Sequence, residues 1–290
     1  MHSTLSFIGA GRLGGALALA LARRGYQIKN IVSRSRESAN ELARKLDSAP
    51  NIFGIENLID FKFSQIVLIT VPDSEIELTA VKLSRFPVPT RTVFLHTSGA
   101  LSSEVLQSLR AVGGAVGSLH PLVSVSNSIL GAEKFVGAYF CLEGDLKAVE
   151  VSKRIVADLK GNAFSIPTEQ KSLYHAAAVM TSGHLVALFD LAVETLVRCG
   201  LEKPQAQRIL LPLVQSTIEN LTHQTPADAL TGTFARADLE TMKKHLAALT
   251  NQSALKTYVE LGLHSLQLAA ERGGADAEKI AAMRRELENL

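Results

Sequence analysis

The first cluster of residues whose types suggest chemistry is Gly9-Ala10-Gly11-Arg12-Leu13-Gly14. It follows the apolar run Leu5-Ser6-Phe7-Ile8 and leads into a helical pattern from Leu13 to Arg24. Between a strand and a helix, G-x-G-x-x-G predicts a cradle for a dinucleotide pyrophosphate. Gly9 permits the tight turn, Gly11 the close approach of backbone to phosphate, and Gly14 close packing of helix on strand. The helix start adds free N–H groups and a partial positive charge.

The segment Val32-Ser33-Arg34-Ser35-Arg36 bears on which dinucleotide is held, because it carries no acid before Glu37. A carboxylate there would accept from a ribose 2′-hydroxyl, whereas hydroxyls and guanidinium forks suit a 2′-phosphate. Ser33, Arg34 and Arg36, with Arg12 as a further cation, therefore predict NADP(H) in preference to NAD(H). Val71 and Pro72, at the end of another apolar run, are expected to border the same cofactor.

Ligands of such sheets lie beyond the carboxyl ends of the strands. Three segments end there: Val71-Pro72-Asp73, His96-Thr97-Ser98-Gly99 and Ser118-Leu119-His120-Pro121. His96, Ser98 and His120 brought to one crevice could hold a carboxylate or polarise a carbonyl. A second constellation comprises Lys171, Tyr174, His175, Ala178 and Ser182. At about 100° per residue these share one helical face. Lys171 and His175, spaced i,i+4, could bind an oxyanion and deliver a proton. Residue types alone leave open which of the two is the acid.

The elements that must position these groups read as two domains. Residues 1–166 alternate short β-branched runs with helical patterns, the mark of βαβ units and a parallel, doubly wound sheet of Rossmann type. Strands are expected at 5–8, 28–33, 66–71, 92–96, 115–119, 138–142 and 163–166. After Pro167, Thr168 is a good N-cap, and residues 167–290 read as all-helical.

With 47% apolar but only 5% aromatic residues, the core must be largely aliphatic. A formal charge of +2 from scattered cations predicts no nucleic-acid partner. Cys141 and Cys199 show no metal-type spacing, so no metal is expected, and they fit a reducing cytoplasm. The apolar run from Gly14 to Ala22 has no basic residue before Arg12, unlike a secretory leader. Ala176 to Val193 is interrupted by His184 and Asp190, which predicts a helix buried in protein and no membrane span.

Together with Tyr174-His175-Ala176-Ala177-Ala178 and Ala229-Leu230-Thr231-Gly232 with Arg236, Asp238 and His245, these motifs resemble a bacterial family of Rossmann-like proteins. Its helical half is a domain of unknown function in the 6-phosphogluconate dehydrogenase C-terminal-like superfamily. The family is related to pyrroline-5-carboxylate reductases, deazaflavin-dependent NADP oxidoreductases and an alternative type of ketopantoate reductase. The resemblance implies an NADPH-dependent reductase of a small ketoacid, aldehyde or imine, with ketopantoate the first substrate to test. It places Lys171 where β-hydroxyacid dehydrogenases carry a catalytic lysine, although His175 stands where those enzymes have Asn. Ser98, His120 and Arg236 would orient substrate, and a homodimer would form through the helical half. Two alternatives remain at this point: a non-catalytic NADP(H)-responsive binding protein and a deazaflavin:NADP oxidoreductase.

Overall fold

Strands β1 (Thr4–Ile8), β2 (Gln27–Ser33), β3 (Asn51–Gly54), β4 (Ile66–Ile69), β5 (Val93–His96), β6 (Ala115–Pro121), β7 (Tyr139–Gly144) and β8 (Asn162–Phe164) form one sheet. Their order is β3-β2-β1-β4-β5-β6-β7-β8. The computed structural model that shows this describes residues 3–58 and 60–290. Every residue of β4 and β5 is buried, as expected of central parallel strands covered on both faces.

Helices α1 (Arg12–Ala22), α2 (Arg36–Ala43) and α6 (Leu146–Asp158) cover one face, and α3 (Asp73–Leu83) with α4 (Gln107–Ala111) the other. Leu17, Leu21, Ala39 and Ile155 fill the first layer; Ile76, Leu83, Leu106 and Leu109 fill the second. Sheet and helices thus make the expected doubly wound fold. The apolar run of α1 is core, since Gly14 through Leu21 are all buried.

One departure from an all-parallel sheet is β7, which runs antiparallel to β6, with β8 parallel to β7. A parallel return would need a crossover to the other end of the sheet. The connection instead contains one helical turn, α5 (Ser128–Gly131). A Cβ built on Gly15, in the first turn of α1, would lie 3.0 Å from the Ser128 side chain. The connection therefore stays at the carboxyl ends of the strands, and β7 sets off from there in reverse.

The chain divides after Ser182, not after residue 166 as its composition suggests. Helix α7 (Lys171–Thr181) goes with the sheet, held by Lys171 and Tyr174 through bonds described below. Thr168 is not an N-cap: it lies inside a 3-10 turn, Thr168–Gln170, and its hydroxyl faces Glu143.

The second unit is helical throughout its described residues: α8 (Gly183–Val197), α9 (Lys203–His223), α10 (Pro226–Ala229), α11 (Gly232–Ala235), α12 (Leu239–Ala248), α13 (Gln252–Arg272) and α14 (Ala277–Glu288). Its core gathers Ala237, Met242, Leu266, Met283 and Leu287 from the later elements. The two first helices bury almost nothing, Val193 in α8 and Ala206 in α9. The expectation of a buried helix over 176–193 is therefore corrected. Residues 168–197 are long and apolar enough to cross a membrane by length and composition, with an 18-residue window of mean hydropathy 1.6 of which only 6% is buried. Ser182 divides that stretch between α7 and α8.

Candidate active site

The glycine loop follows β1 directly. Gly9 has φ +114°, a left-handed conformation that only glycine adopts readily, and its N–H donates to the Val32 carbonyl at 2.7 Å. Thr70 closes the turn from β4, its hydroxyl donating to the Gly9 carbonyl at 2.8 Å. A Cβ on Gly14 would collide with that carbonyl and that hydroxyl. Gly11 differs, because a Cβ there would meet nothing within 4 Å. The open space beside Gly11 lies at the N-terminus of α1, which has no side-chain cap and no acid in its first turn. Its free N–H groups suit a phosphate.

A cleft of about 220 Å³ opens at the carboxyl ends of β1, β2 and β4. Gly9, Ser33, Arg34 and Val71 line it, joined by Leu78, Lys82 and Arg85 from α3 and the following turn. Two acids, Glu56 and Glu75, also line it, and Lys82 pairs with Glu56 at 2.7 Å. Among the described residues Arg34, Arg36 and Arg85 have no ion-pair partner. Arg34 and Arg36 flank Ser35, which caps α2 by accepting from the Ser38 N–H at 3.1 Å. Arg12, Leu13, Arg36 and Pro72 do not line the cleft; Arg12, Arg36 and Pro72 are exposed, and Leu13 lies against the core. Sequence reasoning missed Arg85, since a cation late in a helix carries no cofactor signature.

A second cluster gathers where β5, β6 and α7 meet, all within the first unit. Ser98 ties its parts together. Its hydroxyl donates to Asp73 at 2.7 Å and accepts from the backbone N–H groups of Ala100 and Leu101. Its carbonyl accepts from Lys171 Nζ at 3.2 Å and from the Ser118 hydroxyl at 3.3 Å. Lys171 also donates to Ser118 Oγ at 2.8 Å and is only 2% exposed. One of the two candidate proton donors is thus sealed in the interior, its ammonium engaged by β5 and β6. Burial pulls the Lys171 pKa below its ordinary value, while Cys141, Glu143 and Asp73 oppose the shift.

His96 and His120 have different surroundings. His96 is fully buried and accepts at Nδ1 from the Ser98 N–H at 3.2 Å. Desolvation and the Lys171 charge lower its pKa to about 3. His120 is half-buried, with Nδ1 2.6 Å from the Tyr174 hydroxyl. Burial, then Lys171 and His175, lower its pKa to about 4. His175 stands beside it, ring centroids 5.9 Å apart. A Cβ on Gly99 would lie 2.8 Å from His120 Nε2 and 2.5 Å from His175 Cδ2. Glycine at this position is what lets both imidazoles approach the β5 loop.

Of the helical constellation, Lys171, Tyr174 and His175 meet the strand ends. Ser182 lies past the end of α7 and is exposed. Arg236 belongs to the other unit, exposed after α11. There Asp238 caps α12 through Thr241, and His245 Nδ1 meets the Tyr258 hydroxyl at 2.8 Å. Glu143, which accepts from the Ser103 N–H at 2.7 Å and holds the strand end behind Lys171, had no sequence signal.

Comparison with known proteins matches two domain families in series. Residues 2–121 match the Rossmann-like domain, and residues 138–265 match DUF2520, a domain of unknown function. Over those residues the chain is similar to a Rossmann-like domain followed by a DUF2520 domain. The DUF2520 match begins at β7 and includes Lys171, Tyr174 and His175, so the second cluster draws on both matched segments. No curated protein matches the chain.

Among solved structures, protein TM1727 from Thermotoga maritima is 27% identical with a TM-score of 0.72, over 93% of this chain and 100% of that one. BF3122 from Bacteroides fragilis, named as an NADP oxidoreductase, is 23% identical with a TM-score of 0.71, over 93% and 98%. A pyrroline-5-carboxylate reductase from Coxiella burnetii is 11% identical with a TM-score of 0.58, over 100% and 98%. The last two likenesses speak for the fold alone.

Proposed function

We propose that this protein is an NADP(H)-dependent oxidoreductase that reduces a small ketoacid, aldehyde or imine. The observation that carries the reading is the shared placement of two features at the carboxyl ends of the parallel strands of one sheet. One is a glycine loop with open space beside Gly11; the other is a cluster of His120, His175, Ser98 and Tyr174 at the neighbouring strands. Names of the fold's relatives point the same way, an NADP oxidoreductase and a pyrroline-5-carboxylate reductase among them.

The residues present fit the cofactor. Gly9, Gly11, Arg12, Leu13 and Gly14 would hold the pyrophosphate, Ser33, Arg34 and Arg36 the 2′-phosphate, and Val71 with Pro72 would border the remainder. When bound, NADPH supplies a hydride. The accompanying proton is assigned to His175, which is partly exposed, rather than to the sealed Lys171. Lys171 fixes the ends of β5 and β6 and gives the crevice a positive potential suited to an anionic substrate. Ser98 and His120 orient the substrate.

We further propose a homodimer. Val186 is 69% and Leu213 64% exposed, and Leu185, Ile209, Ile218 and Leu221 extend the apolar surface of α8 and α9. A surface this apolar is ordinarily covered, and a second copy of the chain is the occupant proposed. Such a protein works in the cytoplasm.

Steady-state oxidation of NADPH across ketopantoate, other ketoacids, aldehydes and pyrroline carboxylate tests the reading. Saturable turnover of at least one compound is expected; cofactor binding with no turnover of any would overturn it.

A further inference from the structure

Resting on the oxidoreductase reading, we infer that Tyr174 is a positioning residue that locks His120 as a neutral hydrogen-bond donor toward substrate. The site is thereby made for a carbonyl oxygen rather than a protonated imine. The geometry starts from the 2.6 Å contact between the Tyr174 hydroxyl and His120 Nδ1. The Tyr174 hydroxyl has no other hydrogen-bond partner among the described residues. A phenol is the better donor of the pair and an imidazole nitrogen the better acceptor, so the proton lies on Tyr174 and points at Nδ1. Burial reinforces this by holding the Tyr174 pKa above its ordinary value, which keeps the phenol protonated.

With Nδ1 occupied as an acceptor, the neutral ring must carry its proton on Nε2. That nitrogen has no partner among the described residues; its ring edge packs against Gly99, beside His175, yet unlike His96 Nε2 it is not sealed from solvent. His96 is the contrasting case, because its Nε2 is sealed in the interior and cannot reach a ligand. Two neighbouring histidines on adjacent strands thus have different assignments, one internal and one aimed outward.

The groups around His120 keep it uncharged. Lys171, Tyr174 and His175 approach from α7, His96 from β5, and Cys141 lies directly opposite on β7. Asp73 and Glu143 belong to the same cluster but are engaged by Ser98 and Ser103, and among the described residues the charges acting on His120 are those of Lys171 and His175. A neutral Nε2–H offers a donor and no acceptor, so it selects a ligand atom with a free lone pair. An aldehyde or ketone oxygen meets that condition. A protonated imine does not, and the Lys171 ammonium repels it as well.

The test uses the full-length chain with 15N-labelled histidine. Long-range proton–nitrogen spectra report the tautomer, and loss of a signal in His120→Gln assigns it. His120 should show a single Nε2–H tautomer at pH 7 and stay neutral to about pH 5. Tyr174→Phe should introduce the second tautomer. It should also lower kcat/KM for a carbonyl substrate by about tenfold, with the NADPH dissociation constant within about twofold. His120→Gln, which retains an N–H donor, should keep more activity than His120→Leu. An Nδ1–H tautomer or an imidazolium in the unmodified protein at pH 7 would overturn the inference. So would a Tyr174→Phe protein as active as the parent, or turnover of pyrroline carboxylate with none of any carbonyl compound. The spectra need no turnover, so absence of all activity would sink the oxidoreductase reading while the tautomer is still decided.

Discussion

Residues around the β5 and β6 ends differ by burial more than by type. His96 and His120 have folded-state pKa values of about 3 and about 4, below the ordinary 6.5. Between those values the unfolded chain binds more protons than the folded one. The stability contribution is therefore complete above pH 6.5 and is lost as pH falls toward 4, by up to about 1.4 kcal/mol per pH unit for each ring. The urea midpoint should drop between pH 7 and pH 5, and His120→Gln should make that drop shallower. A midpoint independent of pH over this window would show that both rings titrate freely. Gly99→Ala would push a methyl group against His120 and His175. It should lower kcat/KM by about tenfold or more while NADPH binding, followed by fluorescence titration, holds within about twofold. An active Gly99→Ala protein would mean that the two rings do not need their present spacing. The sequence named His96, His120, Lys171 and His175 as chemistry-bearing residues. It did not separate the sealed pair, His96 and Lys171, from the accessible pair, because solvent access depends on contacts such as Ser98 carbonyl to Lys171 that span more than seventy positions.

At the scale of elements, the legible parts were those whose signal is local. The β1–loop–α1 unit declares itself through glycine spacing, and β4 and β5 through continuous apolar runs buried on both faces. The reversal of β7 was not legible, because direction depends on where the connection through α5 packs, a fact recorded in Gly15 and Ser128 only once they meet. The assignment of α7 to the first unit was hidden for the same reason. The turn from β2 into α2 makes a sharper prediction. Arg34 and Arg36 leave Ser35 free to cap the helix, so replacing both by Gln should spare the fold. NADPH affinity should then fall about tenfold or more, with NADH affinity little changed. Equal losses for the two cofactors would place the arginines outside 2′-phosphate recognition.

For the whole molecule, the exposed apolar sides of α8 and α9 set the expectation of self-association. Val186→Glu combined with Leu213→Glu should convert a dimer into monomers in sedimentation velocity, with helical content by circular dichroism unchanged. A parent protein that is monomeric at micromolar concentration would remove the dimer. The central claim is that the glycine loop and the His120–His175 cluster serve one reaction. The most direct test follows NADPH absorbance at 340 nm with the purified protein and a panel of ketoacids, aldehydes and pyrroline carboxylate. The account predicts saturable oxidation with at least one carbonyl compound, at least tenfold more efficient with NADPH than with NADH. Tight NADPH binding with no oxidation by any member of the panel would contradict it.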